Sequence, residues 1–113
     1  ASESVLEINY GLQATNVIID GVQFYLNTGP DIDDDAAAGN PTYFHQWEIA
    51  RCKFMTKNKT TYLDMNGSTA AGTDCLIHDN DFAAASLDGT KIQKPANSMF
   101  INNRSQTGIE TAL

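Results

Sequence analysis

Residues 6–14 alternate strictly: Leu6, Ile8, Tyr10, Leu12 and Ala14 take one set of positions, and Glu7, Asn9, Gly11 and Gln13 the other. Period-two alternation puts one set on a buried face and the other in solvent, so the pattern predicts one amphipathic strand over residues 5–15. Beyond it the chain runs in short stretches rich in β-branched and aromatic residues, punctuated by Gly, Asn, Asp and Ser. No apolar stripe of helical period is long enough to make a helix of about ten residues. The prediction is an all-β chain. Within NVIIDGVQFYLN, Asp20-Gly21 between β-branched residues predicts, taken alone, a two-residue hairpin turn.

Aligning the chain with itself gives a different reading. Residues 17–24 (VIIDGVQF), 47–54 (WEIARCKF) and 75–82 (CLIHDNDF) share apolar or small residues at the first and third positions, a small or amide residue at the sixth and Phe at the eighth. Ile19, Ile49 and Ile77 then become equivalent, as do Phe24, Phe54 and Phe82, which stand 30 and 28 residues apart. That interval suits one coil of a repeat plus a loop. Residues 96–103 (ANSMFINN) form a weaker fourth copy at a shorter, irregular spacing. Further β-like runs follow at 60–65, 90–93 and 108–113.

The pieces NVIIDGVQF, CLIHDNDF and NSMFINN resemble the right-handed parallel β-helix family, the pectate-lyase-like solenoids, in which strand, tight bend and strand recur on every coil. The resemblance covers residues 16–113 when 27–46, which carry two of the three prolines and four aspartates, are taken as an acidic loop. It implies a short right-handed parallel β-helix of about three to four coils, preceded by an N-terminal amphipathic strand (residues 1–15). The isoleucines and phenylalanines would form two inward stacks. The alternative fold is a β-sandwich or jelly roll, with residues 6–14 as an edge or donor strand and Asp20-Gly21 as a true hairpin turn. The direction in which 17–24 pairs separates the two.

Length and charge narrow the function classes. At 113 residues the chain is one domain, and 14 acidic against 7 basic side chains give a net charge of −7 with no basic cluster, which argues against nucleic acid as a partner. No apolar run approaches the ~18 residues of a spanning helix, so membrane insertion is not expected. Asp31, Asp33 and Asp35 alternate as the first ligands of a calcium loop do. Ala36 and Thr42, however, stand where that motif needs Gly and a closing Glu, and a solvated acidic loop is the plainer reading. No cofactor is expected.

Cys52 and Cys75 are the only cysteines. An even count in a chain that reads as secreted allows one disulfide, whereas the repeat register sets them several residues apart as two buried thiols; both readings stand. His78, Asp79 and Asp81, with Asp64 and Asp74, have the residue types of a polysaccharide-cleaving site. Outward coil positions need polar residues in any case, and the expectation is no enzyme. Tyr43, Phe44 and Trp47 form either an aromatic platform for sugars or the sealed base of the acidic loop. Asn58, Asn66 and Asn103 each begin an Asn-x-Ser/Thr sequon and are the candidate sites for N-linked glycans.

Both ends of the sequence read as unfinished β-structure without polar caps. The expectation is a secreted, extracellular structural subunit. It would assemble head to tail with copies of itself into a filament or fibre, adding its terminal strand (Leu6, Ile8, Tyr10, Leu12, Ala14) to a neighbour. A carbohydrate-binding surface module or fibre fragment is the alternative, and a polysaccharide lyase or hydrolase the third reading.

Overall fold

A left-handed backbone residue punctuates the chain at regular intervals and cuts it into strands of two to four residues. The computed structural model describes residues 5–9, 13–35, 43–57, 59–65, 74–95, 97–110 and 113. Among them the chain is all-β. The strands are β1 Leu6–Asn9, β2 Gln13–Thr15, β3 Ile18–Asp20, β4 Gln23–Phe24, β5 Ile32–Asp35, β6 Tyr43–His45, β7 Glu48–Ala50 and β8 Lys53–Phe54. They continue with β9 Leu63–Asp64, β10 Leu76–His78, β11 Asp81–Phe82, β12 Ile92–Gln93, β13 Met99–Ile101, β14 Asn103–Ser105 and β15 Gly108–Glu110.

Four sheets result, with orders β1-β5-β9-β12, β2-β6, β3-β7-β10-β13 and β4-β8-β11-β14-β15. Every pairing is parallel except that of β14 with β15. As far as β14, consecutive strands lie in different sheets, and each strand joins its sheet beside the strand of the preceding return. Ile18 pairs in register with Glu48, Glu48 with Leu76 and Leu76 with Met99, so the returns in this sheet take 30, 28 and 23 residues.

That register aligns like with like. Ile19, Ile49, Ile77 and Phe100 share one row, and Phe24, Phe54 and Phe82 another. The Phe24 and Phe82 rings stack on Phe54 at 4.8 and 4.4 Å, nearly coplanar. Tyr62 meets Phe54 and Phe82 edge-on and donates its hydroxyl to the Thr56 carbonyl at 2.8 Å. Ile49, Ile77 and Phe54 are wholly buried, while Ile19, on an end strand, is half-buried.

The corners explain the turns. Asn16, Gln46, Asp74 and Asn97, before the strands of the β7 sheet, have φ of 58, 58, 63 and 56°, and Gly21, Arg51, Asp79 and Asn102, after them, have 72, 52, 57 and 55°. Asn, Asp and Gly enter this region most readily, which is why they recur there. Asp20-Gly21 is therefore a corner between two sheets and not the tip of a hairpin: β3 pairs with β7, and β4 with β8. The antiparallel pairing that the sandwich alternative needs within residues 17–24 does not form.

After the Arg51, Asp79 and Asn102 corners the next residue, Cys52, Asn80 or Asn103, is buried, and where it is an asparagine it captures backbone from the neighbouring return. Asn80 Oδ1 accepts the Cys52 N–H at 2.9 Å, and Asn103 Oδ1 accepts the Asn80 N–H at 3.1 Å. In the other direction Asn80 Nδ2 donates to the Ile49 carbonyl and Asn103 Nδ2 to that of Ile77. The Cys52 thiol continues the row, 3.6 Å from the Ile19 carbonyl and 3.3 Å from that of Ala50. At the opposite corner Ser98 Oγ accepts the Cys75 N–H, and the Cys75 thiol reaches the Phe44 carbonyl. These bonds satisfy polar groups that would otherwise be buried without partners.

Three expectations need correction. The third return is 23 residues long, so residues 98–105 and not 96–103 align with 75–82, and Phe100 falls in line with Ile77. Residues 27–46 are not simply a loop, because β5 and β6 lie within them and pair with β1, β9 and β2. Residues 5–15 are not one strand: β1 pairs on one side with β5, and β2 with β6, of the same chain. Leu6 packs half-buried against the core, Ile8 lies on β1 and Ala14 on β2. Tyr10 and Leu12 lie outside the described residues.

Candidate functional site

The stacked sheets begin with β1, β2, β3 and β4, and among the described residues nothing pairs with the outer edges of these strands. Apolar side chains surround those edges. Ile18 is 69%, Tyr25 60% and Leu26 79% exposed, with Val5 and Val22 exposed beside them. Leu26 adopts a left-handed φ of 61° and donates its N–H to Thr56 Oγ1 at 2.9 Å, so a large apolar residue is held outward in a conformation that disfavours it. Charge is also unevenly placed. Residues 1–50 hold eight acidic residues and no Lys or Arg, whereas all seven basic residues lie beyond.

The opposite end is different in kind. β12 is flanked by Lys91 and Lys94, β14 carries Arg104, and Met99, Ile101 and Ile109 are exposed. Here β15 turns back antiparallel and covers the edge of β14.

Between the ends, the outer surface of the β7 sheet carries a polar network. His78 Nε2 lies 2.6 Å from Glu48 Oε2, and Nδ1 2.5 Å from Asp79 Oδ2. Asn102 Nδ2 donates to Asp79. Arg51 forms a two-pronged contact with Asp20 at 2.9 and 2.6 Å. Glu48, then Asp79, raise the His78 pKa, and His78, then Asn102, lower that of Asp79. Both carboxylates thus turn toward one imidazole and do not flank an open space in which a glycosidic bond could lie. Asp64 sits on β9 and Asp81 on β11, in other sheets, so the five-residue cluster expected around His78 is not assembled. Glu48, Arg51 and Asp20 join instead. Their separation in sequence from His78 hid them, although the 28-residue register would have brought Glu48 near.

The remaining candidates fall into place individually. Asp31 is buried against the equally buried Lys59 at 2.9 Å, and desolvation raises its pKa despite that partner. An ammonium group occupies the position where a cation would bind, Asp33 and Asp35 are strand residues of β5, and no group of metal ligands exists among the described residues. Cys52 and Cys75 are separate buried thiols whose pKa values burial pushes up, so no disulfide joins them.

Asn103 is fully buried with both ends of its amide engaged, which removes it as a glycan acceptor. Asn58 and Asn66 lie outside the described residues. Phe44 and Trp47 are buried edge to face at 5.0 Å and offer no sugar platform. The open grooves of about 480 Å³ beside Lys59, Ser86 and Lys91 and about 320 Å³ beside Lys53, Met55 and Gln106 contain no nucleophile paired with a base.

Compared with protein-family models, curated proteins and solved structures, the chain matches none.

Proposed function

We propose that this chain is a right-handed parallel β-helix that serves as an extracellular structural subunit, growing head to tail into a filament by strand addition between copies. The single observation that carries the reading is the end formed by β1–β4, where edges unpaired among the described residues lie beside exposed Ile18, Tyr25 and Leu26. Such an edge in water is an aggregation site unless something pairs with it. The β-helix part of the reading is supported by the fixed visiting order of the sheets and the 23- to 30-residue returns in parallel register. Right-handedness follows from the strong preference of parallel crossovers for that hand.

A second copy suits the open end for a specific reason. The acidic β1–β4 end faces a far end that is less acidic, where Lys91, Lys94 and Arg104 stand against Asp88 and Glu110, Lys91 bridging Asp88 at 3.5 Å and Arg104 bridging Asp81 at 3.6 Å. Head-to-tail stacking would place Met99 of one copy in line with Ile18 of the next, and Ile92 in line with Leu6. This contact is heterologous, so it propagates as an open filament. N-linked glycans, in this reading, belong at Asn58 and Asn66.

Sedimentation and negative-stain imaging over a concentration series test the proposal. Open-ended polymers that shorten as salt is raised are expected, because screening weakens the charge match. A monomer at every concentration, or a closed dimer, overturns it.

A further inference from the structure

The far end poses a problem for head-to-tail growth. Continuing the sheets into a second copy would set its β1 beside β12, its β3 beside β13 and its β4 beside β14. Among the described residues nothing pairs with the outer edge of β13, the outward Ile92 N–H of β12 is bonded to the Asp88 carbonyl of its own chain at 3.0 Å, and the edge of β14 is covered by β15.

β15 itself makes few contacts, although Leu113 beyond it packs half-buried against the core and must also give way if β15 is released. Three residue pairs join it to β14, Asn103 with Glu110, Arg104 with Ile109 and Ser105 with Gly108. Ile109 remains 58% exposed, so closing the hairpin buries little of its only large apolar side chain. One side-chain tie reaches elsewhere, from the Leu87 N–H to Glu110 Oε1 at 3.1 Å. The turn depends on Gly108, whose φ of 128° an L-residue rarely adopts, and on the Ser105 and Thr107 hydroxyls 2.9 Å apart. It is also the one antiparallel strand of its sheet. A parallel β4 from a second copy would instead continue the row Gln23, Lys53, Asp81, Arg104.

We infer that the outer edge of β14 is the docking site for β4 of a second copy and that β15 occupies it in cis, so that release of β15 gates assembly. The inference rests on the head-to-tail reading and adds to it the receiving edge and its control. The competition is one of strand for strand, so locking β15 should stop growth and loosening it should speed growth.

Arg104 and Ile109 are directly opposed and exposed, a spacing within reach of a disulfide. The full-length Arg104→Cys/Ile109→Cys variant is compared oxidised and reduced, alongside Gly108→Val, with near-ultraviolet circular dichroism confirming the packed phenylalanines in each. At least tenfold slower assembly when oxidised, recovery on reduction and at least tenfold faster assembly of Gly108→Val are expected. Growth of Gly108→Val with the parent chain slow or lagging supports a gate that is mostly closed at rest. If the oxidised and reduced forms grow equally, the gate is overturned while head-to-tail assembly stands. If the bond does not form between the opposed residues, the hairpin and the gate fail together. If no form assembles, including Gly108→Val, both proposals fall.

Discussion

The two ends of these sheets solve the edge-strand problem in opposite ways. At the far end β15 folds back over β14, and the charged residues Lys91, Lys94 and Arg104 border the last strands. Cover and positive charge are both known protections against unwanted pairing. At the β1–β4 end, among the described residues, no strand covers the edge and no basic residue lies on these strands, and Ile18, Tyr25 and Leu26 stand in solvent. The difference teaches that the repeat itself does not protect an edge. Protection comes from residues that break the repeat, namely Ser105 following the phenylalanine row and the reversed strand behind it.

Several substitutions test how far that contrast extends into the molecule. The largest effect is expected at Lys59, which clamps the base of β5 through buried Asp31. Lys59→Ala leaves a carboxylate buried without its partner and should destabilise by about 3–5 kcal/mol in urea unfolding at neutral pH. A loss below ~1 kcal/mol would mean that solvent reaches Asp31 and that the acidic end is looser than described.

Next are the isoleucines. Ile49 lies in the middle of its row and Ile19 at the open end. Ile49→Ala should cost about 2–5 kcal/mol through cavity formation, and Ile19→Ala less than half as much because the end strand can relax and is already partly solvated. Equal losses would show that β3 is covered in solution.

A smaller effect concerns pH. The His78 pKa is raised by Glu48 and Asp79, so the folded state holds the proton more tightly than the unfolded chain. Its stabilisation is fully present below the ordinary histidine value of about 6.5 and is lost as pH rises through the raised folded value. Thermal midpoints should fall over that interval, and His78→Gln should flatten the profile. A slope that survives the substitution would assign the effect to another group.

The smallest change sharpens the comparison most directly. Leu26→Gly relieves a left-handed backbone and removes the most exposed leucine at the open end. Monomer stability should rise by roughly 0.5–1 kcal/mol while assembly weakens. Unchanged polymerisation would take Leu26 out of the contact.

Much of the architecture could be read from local pattern. Ile19, Ile49 and Ile77 and the phenylalanine row share a face because identical neighbours in a parallel register pack on one another, and that requirement recurs at a countable interval. The small or amide position after the bend, Cys52 and Asn80, was legible for the same reason. The network around His78 was legible only in part, since His78 and Asp79 are adjacent but Glu48 comes from the preceding return. The fourth copy was placed two residues early because its return is shorter than the others, and the register sets Phe100 in the isoleucine row.

What the sequence by itself determined is periodicity: all-β structure, the length of the first two returns, and the inward residues of each. Those properties arise between a residue and its counterpart one return away, so they repeat along the chain. What only the tertiary structure decided is whatever depends on contacts outside the repeat. Three aspartates can lie in β5 because parallel neighbours supply its backbone bonds, residues 6–14 divide between two sheets although their alternation is unbroken, and β15 reverses direction where β14 offers an edge. Backbone hydrogen bonding to a neighbouring strand is indifferent to side-chain type, and alternation along one segment carries no record of which strand lies beside it.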